Sequence, residues 1–158
     1  MIPKSGYRFS EKIMLKQQAK SEWRFNLISH RFSARGWRPA KGFANGVVAE
    51  GRMVFLAGQV GWNAEQRFES GDFVAQAHQA LANIVALVAE AGSRSEHITR
   101  LTWFVLDKQE YLSRLRELGE AYRDVMGKHF PAMTLVQVGA LVENEARLEI
   151  EATAVVPG

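Results

Sequence analysis

Glu151 is a candidate carboxylate for acting on a water. It lies near the end of the chain, where Leu148, Ile150, Ala152, Ala154 and Val156 alternate with Arg147, Glu149, Glu151 and Thr153. That period of two marks a strand with one apolar and one polar face. A carboxylate on the polar face, partly withdrawn from solvent, would exchange a proton with a bound water. The plainer reading is an interface glutamate paired with Arg147 or with a base from another copy. Gly58, in the run Gly58-Gln59-Val60-Gly61, would offer a backbone N–H to a ligand or simply serve a turn. The same run spells the G-x-x-G of a KH nucleic-acid loop, but it follows a strand instead of joining two helices. Phe43 and Trp62 are candidate walls of an apolar cleft.

Other chemistries find no footing. His30, His78, His97 and His129 lack the spacing of metal ligands. The chain has no cysteine, hence no thiol nucleophile, disulfide or Cys-based zinc site, which is compatible with a reducing compartment. No serine elbow, Walker loop or dinucleotide fingerprint occurs.

The elements that must position these residues follow from periodicity. Residues 47–49, a Glu50-Gly51 turn and residues 53–57 read as a β-hairpin. Residues 72–91 carry apolar positions three and four apart and stop at Gly92, the pattern of an amphipathic helix. Residues 98–106 are apolar on both faces and read as an interior strand. Asp107 to Glu110 form a candidate capping box for a second helix, with the stripe Tyr111, Leu115, Leu118, Tyr122 and Val125 and a stop at Gly127. A strand through Met133, Leu135 and Gln137, with Thr134, Val136 and Val138 opposite, precedes the last one. The order is β-β-α-β-α-β-β. Two helices cover one face of a sheet, yet two strands are apolar on both faces, so a second copy of the chain is the expected cover of the other.

At 158 residues the chain is sized for one domain, and its 47% hydrophobic residues suffice for a core. It holds no apolar run of about 18 residues, the length of a membrane span, and no signal-peptide pattern; a cytoplasmic, non-membrane protein is expected. Residues 1–41 contain ten Lys or Arg against Glu11 and Glu22, a net +8, which within the total of +3 leaves −5 for the remainder. The basic character therefore belongs to a leading extension, residues 1–36, with no strand pattern of its own; the domain proper is expected over residues 37–158. An acidic body argues against a nucleic-acid groove on it.

With AGQV after the second strand, QAHQALANIVALV in the first helix, and FPAMTLVQV followed by LEIEATAVV at the end, the chain resembles the YjgF/RidA family of reactive-intermediate deaminases over residues 38–156. The resemblance implies a chorismate-mutase-like α+β fold with a mixed sheet and two helices on one face. It also implies a homotrimer, sheets inward, with a small-molecule cleft between subunits. Family members hydrolyse enamines and imines such as 2-aminoacrylate to ammonia and a 2-oxo acid, with no cofactor or metal; some carry an older label as ribonucleases or translation inhibitors.

The resemblance also implies a site, altered here. The family arginine that grips the substrate carboxylate corresponds to Met133, a tyrosine to Phe43, a serine to Ala57, an asparagine to Gly119 and a cysteine to Leu135. Gly58 and Gln59 match, and the water-holding glutamate is matched by Glu151. Without a guanidinium at Met133 there is no bidentate clamp for a carboxylate, unless Arg38 or Arg52 reaches the cleft. Two expectations follow: a hydrolase of small imines or enamines lacking a carboxylate beside the reacting carbon, using Glu151 and the Gly58 backbone, or a non-catalytic trimer that binds a small apolar molecule or a partner protein.

Overall fold

The computed structural model describes residues 29–157, so the expectation of an extension over residues 1–36 falls mostly outside them. The described part of that segment contributes a strand that its sequence did not announce. It is β1 (Ser29–Phe32), antiparallel to β2 (Gly46–Ala49). The hairpin expected between β2 and β3 (Arg52–Gln59) does not form: β2 pairs with β1, and β3 with the last strand. Gly51, at φ +145°, lets the chain turn against the end of that strand, where the Val156 carbonyl oxygen would lie 2.1 Å from any Cβ. The turn needs its glycine, but it redirects the chain between two sheets.

The main sheet has four strands in the order β3-β6-β4-β5, with β4 (Ile98–Val105), β5 (Ala132–Gln137) and β6 (Leu148–Val156). β6 is antiparallel to both β3 and β4, and β4 runs parallel to β5. A parallel neighbour requires a crossover. Helix α1 (Phe73–Glu90) links β3 to β4, and helices α2 (Lys108–Ser113) and α3 (Leu115–Met126) link β4 to β5. The result is the α+β layering expected, a mixed sheet with its helices on one face.

Local signals explain where the helices begin. Asp72 caps α1 by accepting the Ala75 N–H at 2.9 Å. The Asp107 carboxylate caps α2 through the N–H groups of Gln109 and Glu110 at 2.7 and 3.3 Å. Glu110 does not complete the expected box; it receives Arg147 at 3.0 Å instead. The single second helix expected after Asp107 is interrupted at Arg114, whose φ of −113° and ψ of 17° leave helical geometry. Its guanidinium reaches Asp72 at 3.0 Å and also bonds Glu117, tying the break to the start of α1.

Between helices and sheet lies one core, in which Phe73, Leu81, Ile84, Leu101, Leu148 and Ile150 are almost wholly buried. Gln76, facing inward from α1, is buried too. Its amide donates to the carbonyls of Ser70 and Glu145 at 3.0 and 2.9 Å and accepts the Arg147 N–H at 2.8 Å, which satisfies a polar group at depth. The opposite face of the sheet carries Phe55, 74% exposed, with Met53 at 57% and Val136 at 42%. Val136 is thus open in the single chain, and any cover for it must come from outside.

Candidate functional site

The cavity that matters lies on the helical side, beside β5. Its floor is Trp103, Met133 and Leu135 from the parallel pair β4–β5, and its wall is the α2–α3 segment with Tyr111, Leu118 and Gly119. The segment before β2 closes it: the Ala44 N–H donates to the Pro131 carbonyl at 2.9 Å, holding Lys41, Gly42 and Phe43 at the rim. The cleft is half open, with a volume of about 540 Å³, within the range of small-molecule pockets. Tyr122 donates its hydroxyl to the His129 carbonyl at 2.8 Å and stacks on Phe130 with centroids 5.4 Å apart; burial pushes its pKa well above the usual phenol value. Tyr111 also lines the cavity, and burial raises its pKa as well, so both phenols stay protonated as donors at neutral pH. The Trp103 indole N–H is buried with no partner among the described residues.

Four of the eight residues that the sequence put forward, Phe43, Gly119, Met133 and Leu135, therefore meet around one space. The other four do not join them within one chain. Ala57 and Gly58 sit on β3 at an irregularity where two residues oppose one on β6, and Gln59 folds its amide back on the Ala57 and Gly58 carbonyls, both at 3.2 Å. Glu151 points to the open face, where Arg100 donates to it at 3.2 Å and to Thr102 at the same distance. Arg147, the partner anticipated within the chain, is not the one found. Arg147 serves Glu110, and Arg100 on the neighbouring strand takes its place.

One carboxylate escaped the sequence reading. Glu149, two residues before Glu151 on the same face, lies against Gly58 so closely that a Cβ on Gly58 would fall 1.8 Å from its Oε1. Glu149 has no ion-pair or hydrogen-bond partner for its carboxylate among the described residues. Alternation placed both glutamates on one face; only the offset of β3 beside β6 decides which one Gly58 touches. Trp62, the other candidate wall, pairs with Phe68 away from the cavity, ring centroids 6.1 Å apart. Arg52 does not reach the cavity, since it bonds the Ala91 carbonyl at the end of α1 at 3.3 Å; Arg38 is not among the lining residues either. The cations that do line it are Lys41 and Arg123, which the sequence did not single out. Among the described residues no group of three or more His, Asp or Glu is arranged to hold a metal, and no described helix is long and apolar enough to cross a membrane.

Comparison with known proteins agrees with this fold. A conserved Rid-family protein of unknown function, YyfB from Yersinia pestis, superposes with a TM-score of 0.74 at 28% identity, covering 82% of this chain and all of that one. The YjgF protein of E. coli gives a TM-score of 0.57 at 31% identity, over 79% and 92% of the two chains. Among curated relatives, a RutC family protein of Pasteurella multocida is 33% identical over 66% of this chain and 81% of its own length. The 2-iminobutanoate/2-iminopropanoate deaminase of Escherichia coli K12 is also 33% identical, over 66% and 80%. Residues 35–156 match the family model described as endoribonuclease L-PSP, and with the sheet, the helices and the cavity disposed as they are, the chain belongs to the YjgF/RidA family.

Proposed function

We propose that this protein is a homotrimer that hydrolyses a small imine or enamine in clefts between its subunits, and that its substrate lacks a carboxylate on the carbon next to the reacting one. The observation that supports it best is the division of the candidate residues. Phe43, Gly119, Met133 and Leu135 line a cavity on the helical side of β5, while Gly58 and the β6 glutamates lie on the exposed face of the sheet. A neighbouring copy whose open face meets the β5 edge would bring the second set to the cavity of the first. A carboxylate and the Gly58 backbone would then hold the water that attacks the C=N carbon, with the carboxylate accepting its proton and ammonia leaving after collapse of the carbinolamine. The sequence pointed to Glu151 for this. The contact of Glu149 with Gly58 and the engagement of Glu151 by Arg100 favour Glu149.

Met133 sets the substrate limit. A charged hydrogen bond to a carboxylate contributes about 1.5–3 kcal/mol, and a thioether supplies none of it. In a coupled assay of ammonia release, the full chain should turn over imines without an α-carboxylate and clear 2-aminoacrylate far more slowly than a family member that carries the arginine. Glu149→Gln should abolish turnover with ligand binding retained, and Glu151→Gln should reduce it less. Clearance of 2-aminoacrylate at the relative's rate would refute the limit, and absence of turnover across the imine panel would refute the activity.

The ion pair of Glu151 with Arg100 favours one alternative. A carboxylate already engaged by a guanidinium is a structural group, and a trimer relying on it would bind its small ligand without converting it. Binding with no turnover in the same assay would establish that reading.

A further inference from the structure

Six of the eleven described arginines engage a carboxylate or carbonyl with their side chains, and Arg123 is among the five that do not. On α3, Glu117 is held by Arg114, Glu120 by Arg116 and Asp124 by His78, so the helix's carboxylates are all occupied elsewhere. Arg123, between two of them, has no ion pair or side-chain hydrogen bond among the described residues. It is exposed and lines the cavity. Gly119, one turn earlier, leaves room for it: a Cβ there would sit 3.4 Å from Arg123 Nη1. Where the family pattern has a polar side chain, this chain has a bare backbone with a guanidinium laid over it. Lys41, also exposed and also without an ion-pair partner among the described residues, stands on the rim. No aspartate or glutamate lines the cavity.

We infer that Arg123 and Lys41 form an anion-binding mouth, and that the cavity takes a small organic carboxylate whose acidic group lies away from the reacting carbon while an apolar or aryl body rests on Phe43, Trp103 and Met133. A guanidinium with two free edges and an ammonium recognise a carboxylate as fork and point charge. The remaining lining is apolar or aromatic, with the Tyr111 hydroxyl as an additional donor, the mixture found where an apolar body is fixed by a few polar contacts. The missing clamp at Met133 is thus not a loss of anion recognition but its transfer from the β5 floor to the α3 wall. This inference rests on the reading of the cavity as the substrate-binding half of the cleft.

The test uses the full-length protein and two probes of one shape, 3-phenylpropanoate and its neutral amide, with affinity measured by calorimetry. The carboxylate should bind at least about ten-fold tighter than the amide, one charge-assisted contact corresponding to a factor of that order. Arg123→Gln should remove most of that preference and Lys41→Gln a smaller part, both lowering amide affinity far less than carboxylate affinity and leaving the melting midpoint unchanged. Equal binding of the two probes, binding of neither, or a preference indifferent to Arg123→Gln would overturn the inference. Binding is read without turnover, so the two ideas fail separately. Carboxylate preference with no imine hydrolysis sinks only the proposed reaction, and hydrolysis with no carboxylate preference sinks only the anion mouth.

Discussion

Gly119 lies inside α3, where glycine costs about 1 kcal/mol relative to alanine. A Cβ there would meet only the end of a flexible arginine, at 3.4 Å. Gly119→Ala should therefore raise stability by roughly 0.5–1 kcal/mol in urea titration. Gly119→Leu should lift the guanidinium from its place and weaken carboxylate binding. His97 yields a prediction about pH. Its Nδ1 is 2.7 Å from Ser93 Oγ, its Nε2 is buried with no partner among the described residues, and burial holds its pKa below the ordinary 6.5. The unfolded chain then takes up the proton more readily than the folded one, so stability rises with pH through this range. The contribution is complete above about pH 6.5 and is lost progressively below it. The urea midpoint should fall between pH 7.5 and pH 5.5, and by less in His97→Gln. At this scale the sequence was half legible. The family resemblance pointed to Met133, Phe43, Gly119 and Leu135 as site positions, and their residue types made that site apolar. They did not tell that Glu149 touches Gly58 or that Arg123 overlies Gly119, because both contacts depend on side-chain direction and strand offset.

Elements were easier to read than residues where one rule decided them. The stripe of α1, the cap at Asp72 and the alternation of β6 are local facts, and the structure has them. Asp72→Ala should cost about 1–2 kcal/mol, since it removes a helix cap and one of the two carboxylates that hold Arg114. Asp72→Asn, which keeps an acceptor, should cost less; equal losses in the two variants would assign the effect to the charge. What misled was competition between local and distant partners. A two-residue turn ending in glycine favours a hairpin, but β6 and β1 offered longer pairings to β3 and β2. β1 itself is nearly all exposed, so it has no hydrophobic alternation by which to be recognised. Cutting the chain after residue 36 would strip β1 from β2; that truncation should melt lower than one cut after residue 28.

For the whole molecule, the proposed assembly is tested at the open face of the sheet. Phe55 and Val136 are exposed in the single chain, so Phe55→Asp or Val136→Asp should leave a folded, cooperative protein. In the proposed trimer the same substitutions would bury an unpaired charge, at a cost of several kcal/mol. Sedimentation at micromolar concentration should show the wild type as a trimer and these variants as smaller species. A compact wild-type monomer would contradict the assembly.

Gln76 bears on the tempo of unfolding. Its amide joins α1 to residues 69 and 71 positions further along the chain, so these bonds cannot close until β6 has been placed beside its neighbours. Bonds that close only once the rest of the topology is in place are absent from the folding transition state, so their loss falls on the unfolding rate. Gln76→Leu should then speed unfolding several-fold while refolding proceeds at nearly the wild-type rate, as the two arms of a stopped-flow chevron would record.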